Sequence, residues 1–453
     1  MEVDIEAVDA SGDGVARHGG ARVLVPFTIP GERVQVRIVR RRGRDAVATL
    51  ERVLRASPHR VAPRCGHFGP PDDCGGCAWQ HIAYPEQLRL KADLVSRLVG
   101  GAWRVLPTIA ATPVDHPWNY RRKVHFAFGA ARPSTSAGGQ PALVMGHYAR
   151  GTRRVFQARE CPVHDARGNA FAFAFRDACA RAGVSAAPAG TLRSLAVRSA
   201  ASTQELMATL VVTAAGDRRL RAATQRALEA PGGPTSFQLN LHARPDPFIF
   251  GRETRRLRGP AHLREEVGGC AFLVSPTAFF QTNVAAAGIL VRLVLDALPP
   301  GERVLDLYAG AGLFALPLAR RGDRVTAVEE HRAAAADGDA SARLNRIPPG
   351  ACRFVPKRVE DALRAFDPRG ARHVVLDPPR EGCARGVLDE VFARLRPARA
   401  IYVSCNPEAL ARDLAVIARH DYRVETLQPV DMFPHTAHVE TVAVLAARDG
   451  GGP

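Results

Sequence analysis

The sequence predicts a multidomain protein with a small N-terminal β-barrel, a central α+β domain and a C-terminal α/β domain built on a doubly wound parallel sheet. Three observations carry this. The first 57 residues break into short Val-rich β-runs separated by glycine, VARHGGARVLVPF and GERVQVRIVRRRGRDAVATLERVL. The middle of the chain alternates strand-like runs with a single helical stretch. From about residue 271 the pattern becomes strand, helix, strand, helix, with RVLDLY, RVTAVEE, HVVLDPP and AIYVSCNP as apolar runs ending in polar or acidic residues.

In residues 1–57, Val alternates with Arg over much of the second run, as expected for a barrel strand with a basic outer face. That face is an ordinary solvated surface or, with the dense Arg40–Arg44 segment, a contact for RNA phosphates. Residues 58–270 form the central domain. They open on Cys65-GHFGPPDD-Cys74-GG-Cys77-AWQH, a Gly- and Pro-rich loop without helical or strand period. A helix over Tyr84–Leu98 follows, with Leu and Val at helical spacing after a proline start. The runs LVMGHYA, LRSLAVRS, ELMATLVVT and SFQLNLH predict an antiparallel sheet, and Ala170–Ala182 a helix in which Cys179 is a buried thiol. Loose linkers are expected at Arg132–Gln140 and Val184–Gly190. Residues 271–453 form the α/β domain.

The 453-residue chain is 46% hydrophobic and carries a net charge of +17, which excludes a disordered chain and favours a polyanionic partner. Only three of its cations are lysines (Lys91, Lys123 and Lys357), so a drift towards arginine contributes to the excess. No apolar run is long enough to span a bilayer, and the acidic start MEVDIEAVDASGDG differs from a signal peptide, so a cytoplasmic protein without membrane contact is expected. In a reducing compartment, nine cysteines point to metal binding or catalysis more than to disulfides. Oligomeric state is not legible; a monomer is the expectation.

Three motifs in the α/β domain carry chemistry. Asp306-LYAGAGLF follows a strand and opens a helix, with Gly310 and Gly312 allowing a tight turn close to a ligand. Glu329 ends the next strand about 20 residues on, where a carboxylate can take both ribose hydroxyls. The third glycine of a dinucleotide fingerprint is missing and an acidic residue precedes the turn, which suits the cationic, phosphate-free S-adenosylmethionine better than NAD. In Asp377-Pro-Pro-Arg380, the prolines fix the backbone and project Asp377 beyond the strand ends. Arg380 stands where amino-group methyltransferases carry an aromatic residue, which disfavours methylation of an exocyclic amine. In Ser404-Cys405-Asn406-Pro407, Cys405 lies at a helix N-terminus on the cofactor edge, where the dipole favours a thiolate nucleophile; the alternative is a small buried thiol. Near the C-terminus, DMFPHTAHVE brings His435, His438 and Glu440 just before a final apolar strand. Glu440 is either a desolvated base or a solvated carboxylate.

FFQTN (Phe279–Asn283), DLYAGAG, DPPR, YVSCNP and DMFPHTAHVE occur in the order and spacing of the RNA uracil-C5 methyltransferases, and residues 1–57 resemble that family's TRAM domain. The resemblance covers nearly the whole chain and is to the 23S rRNA-type members. It implies an OB-like TRAM barrel, a central domain with an iron–sulfur loop and a Rossmann-like class I methyltransferase domain. It also implies that Gln281, Tyr308, Glu329 and Asp377 hold S-adenosyl-L-methionine, that Cys405 is the nucleophile and that Glu440 is the proton acceptor. Cys65, Cys74, Cys77 and Cys161, the last in ECPVH, resemble the family's four ligands to a [4Fe-4S] cluster; structural zinc is the alternative for thiolates so spaced. The eight residues between Cys65 and Cys74 exceed the family's usual five. The spacing also excludes the C-x3-C-x2-C of a radical S-adenosylmethionine enzyme. The expected product is 5-methyluridine in RNA, ribosomal before transfer RNA. The rival reading is an RNA-binding or chaperone protein with a vestigial site.

Overall fold

The structure, a computed structural model, describes residues 1–131, 142–244, 246 and 248–448. The linker expected at 132–140 lies outside them. Strands β1 (Glu2–Asp4), β2 (Ala7–Val8), β3 (Gly14–His18), β4 (Ala21–Val25), β5 (Arg33–Arg42) and β6 (Asp45–Arg55) form one sheet in the order β1-β5-β6-β4-β3-β2. Val34 and Val36 on β5 point into a core with Val3, Val23, Val25 and Ala48, while Arg33, Gln35 and Arg37 face out, as a period of two requires. The terminal strands β1 and β2 are only three and two residues long and do not pair with one another, so the expected barrel is a curled sheet not closed by hydrogen bonds. Its basic face is partly neutralised, because Arg33 pairs with Glu2 and Arg37 with Glu51, each at 3.0 Å.

Helix α1 (Tyr84–Leu98) and the short strand β7 (Ile109–Ala110) fall within the central segment by sequence but belong to the C-terminal layer: α1 packs on the C-terminal domain, and β7 pairs in parallel with Val430 and Asp431. Two residues have no period that could announce a partner some 320 positions away.

The central sheet comprises β8 (Lys123–Ala130), β9 (Leu143–Gly146), β10 (Leu192–Ser199), β11 (Leu206–Val212), β12 (Ser236–Leu241) and β13 (Glu253–Arg258), ordered β13-β12-β11-β10-β8-β9. Helices α2 (Ala166–Arg181) and α3 (Arg218–Glu229) bury Phe171, Phe175 and Ala223 against Leu195, Leu210 and Phe237, and Cys179 is buried among them as expected. The sheet is mixed rather than antiparallel. β11 and β12 run parallel because α3 carries the chain back across the face. The sequence hides α3 behind four arginines and hides β13 because all six of its residues are exposed, leaving no alternation to read. The connection at 184–190 is not loose: Val184 and Ala186 are buried, and the carbonyl of Ser185 accepts from the amides of Thr191 and Leu192.

A hairpin of β14 (Leu263–Val267) and β15 (Cys270–Val274) leads through α4 (Val284–Ala297) into the C-terminal domain. There follow β16 (Arg303–Leu307), α5 (Ala315–Arg320), β17 (Arg324–Val328), α6 (Arg332–Leu344), β18 (Cys352–Val355), α7 (Val359–Arg364), β19 (His373–Leu376), α8 (Arg385–Asp389), β20 (Arg399–Ser404), α9 (Pro407–Ile417), β21 (Tyr422–Asp431) and β22 (Glu440–Ala447). The sheet order is β18-β17-β16-β19-β20-β22-β21-β7. Its first five strands are parallel, as the sequence predicts, and apart from the edge strand β18 they are largely buried on both faces, whereas β22 is antiparallel to both its neighbours. No helix among the described residues is long and apolar enough to cross a membrane.

Candidate active site

Four of the predicted residues are each the first residue beyond a parallel strand: Tyr308 after β16, Glu329 after β17, Asp377 after β19 and Cys405 after β20. Parallel strands in register end on one edge, so the topology gathers these side chains at the crevice where open α/β sheets bind ligands. The turn after β16 is held by Glu329, whose Oε2 accepts from the Gly310 amide at 2.8 Å while Oε1 accepts from the His331 amide at 2.7 Å. Gly312, at φ +89°, lies so close to Phe354 that an added Cβ would stand 2.7 Å from the ring. Gln281 is buried just before α4, in a segment tied to the central domain by the Arg122 amide on the Thr282 carbonyl.

Asp306, which precedes Tyr308, is fully buried, and neither of its carboxylate oxygens has a hydrogen-bond partner. Burial, with the nearby Asp377 adding repulsion, raises its pKa well above the ordinary range. Desolvation raises Asp377 to about 7.

The last pair in the ladder between β20 and β22 is Ser404 with Thr441, so Cys405 and Glu440 are the next residues on adjacent strands. Glu440 is 4% exposed, and burial reinforced by Asp377 pushes its pKa to about 8, opposed by Arg380. The structure corrects the expectation that the helix favours a thiolate at Cys405. Asn406, not Cys405, caps α9, its Oδ1 accepting from the Glu408 amide at 3.0 Å, and Cys405 stands one residue outside the cap. Burial and the Glu440 carboxylate push the Cys405 thiol up to about 11, with Arg380 acting the other way.

Away from this edge, Cys65, Cys74, Cys77 and Cys161 line one cavity of about 190 Å³, together with His67 and Arg121. Burial, strengthened by mutual repulsion, pushes Cys74, Cys77 and Cys161 up to about 12. The first three thiols come from the loop before α1, and Cys161 from the approach to α2. Among the described residues, no three or more His, Cys, Asp or Glu side chains are grouped closely enough to hold a metal ion.

Residues 1–59 match the family described as tRNA (uracil(54)-C(5))-methyltransferase, TRAM domain, and residues 357–448 match tRNA (Uracil-5-)-methyltransferase. A protein of Thermosynechococcus vestitus described as an uncharacterized RNA methyltransferase is 35% identical over 98% of this chain and 97% of its own. One of Gloeobacter violaceus with the same description is 35% identical over 98% and 96%. The chain belongs to the RNA uracil-5-methyltransferase family. The crystal structure of Pyrococcus abyssi tRNA (uracil-54, C5)-methyltransferase in complex with S-adenosyl-L-homocysteine matches with a TM-score of 0.77 at 26% identity, covering 98% of this chain and 99% of that one.

For an S-adenosylmethionine-dependent RNA uracil-5-methyltransferase, the acidic strand edge is a fitting host. Its buried Asp306, whose carboxylate oxygens have no partner, and the raised Asp377 are carboxyls whose ionised forms a cationic nucleoside would favour. The residue-by-residue reading left Lys91, Gln87, Trp118 and Tyr120 without a role. The structure brings all four to the turn before Glu440. The available signal was Lys91, one of three lysines in the chain and the only charged residue on the buried stripe of α1 apart from Glu86.

Proposed function

We propose that this methyltransferase makes 5-methyluridine in RNA through a covalent bond from Cys405 to uracil C6, with Glu440 removing the C5 proton. The observation that carries the reading is the strand register that sets Cys405 and Glu440 side by side at the acidic edge. Gln281, Tyr308, Glu329 and Asp377 hold the cofactor in this reading. When bound, S-adenosylmethionine supplies the methyl group and a positive charge.

Uracil C5 is a weak nucleophile, so a nucleophile must first add at C6. Cys405 releases its proton to water, and its sulfur bonds to C6, moving the C5–C6 electron pair onto C5 and the C4 carbonyl oxygen. C5 then bonds to the methyl carbon, and the electron pair of the methyl–sulfur bond would stay on sulfur, leaving S-adenosylhomocysteine. The Glu440 carboxylate accepts the C5 proton, the freed pair restores the C5–C6 double bond, and the C6–S bond breaks to return the thiolate. A carboxylate whose pKa is near 8 is well matched to this proton transfer close to neutral pH. Arg380, whose cation lowers both Cys405 and Glu440, favours their reactive forms. The target base is flipped out of its stack to reach the edge, and exposed arginines such as those of β13 supply phosphate contacts.

Cys65, Cys74, Cys77 and Cys161 are proposed to hold a [4Fe-4S] cluster. Support comes from four thiols lining one cavity, together with the family resemblance. Bound there, the cluster would tie the loop before α1 to the central domain.

Ribosomal RNA is the proposed substrate on the family resemblance, in the cytoplasm. Transfer RNA is a second reading, favoured by the whole-chain likeness to a tRNA enzyme that includes the N-terminal sheet. The test maps 5-methyluridine after incubating the protein with unmodified rRNA and tRNA transcripts. Methylation of rRNA alone is expected, methylation of tRNA alone assigns the second reading, and methylation of neither overturns the function.

A further inference from the structure

The turn of residues 432–439, which delivers Glu440 to β22, is held from outside at four successive carbonyls. Met432 O accepts from Asn283 Nδ2 at 3.1 Å, Phe433 O from Lys91 Nζ at 3.0 Å and Pro434 O from the Tyr120 hydroxyl at 3.0 Å. His435 O accepts from the amides of Ala78 and Trp79 at 3.0 and 2.9 Å. Ala78 and Trp79 directly follow Cys77, so the cysteine loop itself grips the turn.

Gln87 on α1, fully buried, joins the same three elements. Its Oε1 accepts from the His435 amide at 2.7 Å, and its Nε2 donates towards His435 Nδ1, Trp79 O and Ile82 O at 3.2, 3.1 and 2.8 Å. The His435 ring is neutral, since burial lowers it to about 4; its Nε2 donates to Pro117 O, and the ring stacks on Trp118 at 3.9 Å. His435 has φ +66°, a left-handed conformation that a non-glycine residue keeps only when its surroundings over-determine it. Tyr120 is also within electrostatic reach of Cys77 and Cys161.

We propose that the cysteine loop and α1 act as a clamp on this turn, and that Gln87 and Tyr120 are positioning residues that hold Glu440 against the C5 proton. This rests on the reading of Glu440 as the base. A turn held by donors from α1, the cysteine loop, α4 and the start of β8 cannot shift without breaking several hydrogen bonds at once. Glu440, five residues beyond His435, enters β22 directly from this held turn.

The test separates addition from proton removal. RNA carrying 5-fluorouridine traps the methylated adduct without needing a base, whereas RNA carrying uridine releases product only after the C5 proton is taken. With Gln87→Met, trapping of fluorouridine RNA is expected within about twofold of the parent and KM for RNA unchanged. On uridine RNA, the methylated protein–RNA adduct persists about tenfold longer and kcat falls to match. Tyr120→Phe, which removes one hydroxyl and keeps the ring, is expected to show the same split at about threefold. Turnover of uridine RNA by both variants without adduct accumulation overturns the clamp. So does a parallel loss of trapping and turnover in Tyr120→Phe, which marks a general packing role. If the parent protein itself traps no fluorouridine RNA, the covalent mechanism fails instead.

Discussion

Cys405 and Glu440 leave neighbouring antiparallel strands at the same level, one residue beyond the Ser404–Thr441 pair that ends their ladder. Both are proton carriers displaced upward by burial, to about 11 and about 8, with the Glu440 carboxylate adding to the shift at Cys405 and Asp377 to that at Glu440. Arg380 opposes the shift at both.

Cys405→Ala removes the sulfur and leaves the strand end otherwise intact. Methylation should fall by at least about 1,000-fold, while RNA binding by gel shift stays near that of the parent. Denaturing gels should show no protein–RNA adduct.

Glu440→Gln should accumulate a methylated adduct, because the C5 proton has no acceptor. In the parent, product release should rise with pH towards a plateau above about 8, as the carboxyl ionises. The stability effect has a definite sign. A carboxyl with a folded pKa of about 8 and an unfolded value near 4.3 binds more protons when folded, so its contribution to stability declines as pH rises between those values. The melting temperature of Glu440→Gln should match the parent near pH 4.5 and exceed it increasingly up to pH 8.

Asp306→Asn should trade binding for stability. It removes a buried carboxylate whose oxygens have no partner, so thermal unfolding should move up by a few degrees. S-adenosylmethionine binding by calorimetry should weaken by at least about tenfold.

Lys91→Met should be costly. Lys91 and Asp431 are both fully buried and paired, and losing the cation leaves an isolated buried carboxylate, a loss of about 3–5 kcal/mol in urea unfolding. Adding Asp431→Leu should recover much of it.

Anaerobically purified protein should be brown and carry about four irons per chain, and Cys161→Ser should lower that content. Stoichiometric zinc without iron would replace the cluster proposal.

The sequence by itself determined the α/β domain and the place of four of its candidate residues, because doubly buried parallel strands read as apolar runs and these residues sit at the runs' ends. Tyr308, Glu329, Asp377 and Cys405 could be found this way, since strand ends are local features. It also exposed the loop of Cys65, Cys74 and Cys77, whose spacing is local, whereas Cys161 was joined to them only by the family resemblance. The parallel pairing of β11 with β12, the addition of β7 to the C-terminal sheet and the upward shift of the Cys405 thiol by burial were decided only in three dimensions. Each depends on partners far apart in the chain or on solvent exclusion, and neither leaves a period in the sequence. The grip of Gln87, Tyr120 and Trp79 on the turn before Glu440 is of the same kind: donors and carbonyls more than 300 residues apart meet only once α1 has packed against the C-terminal sheet.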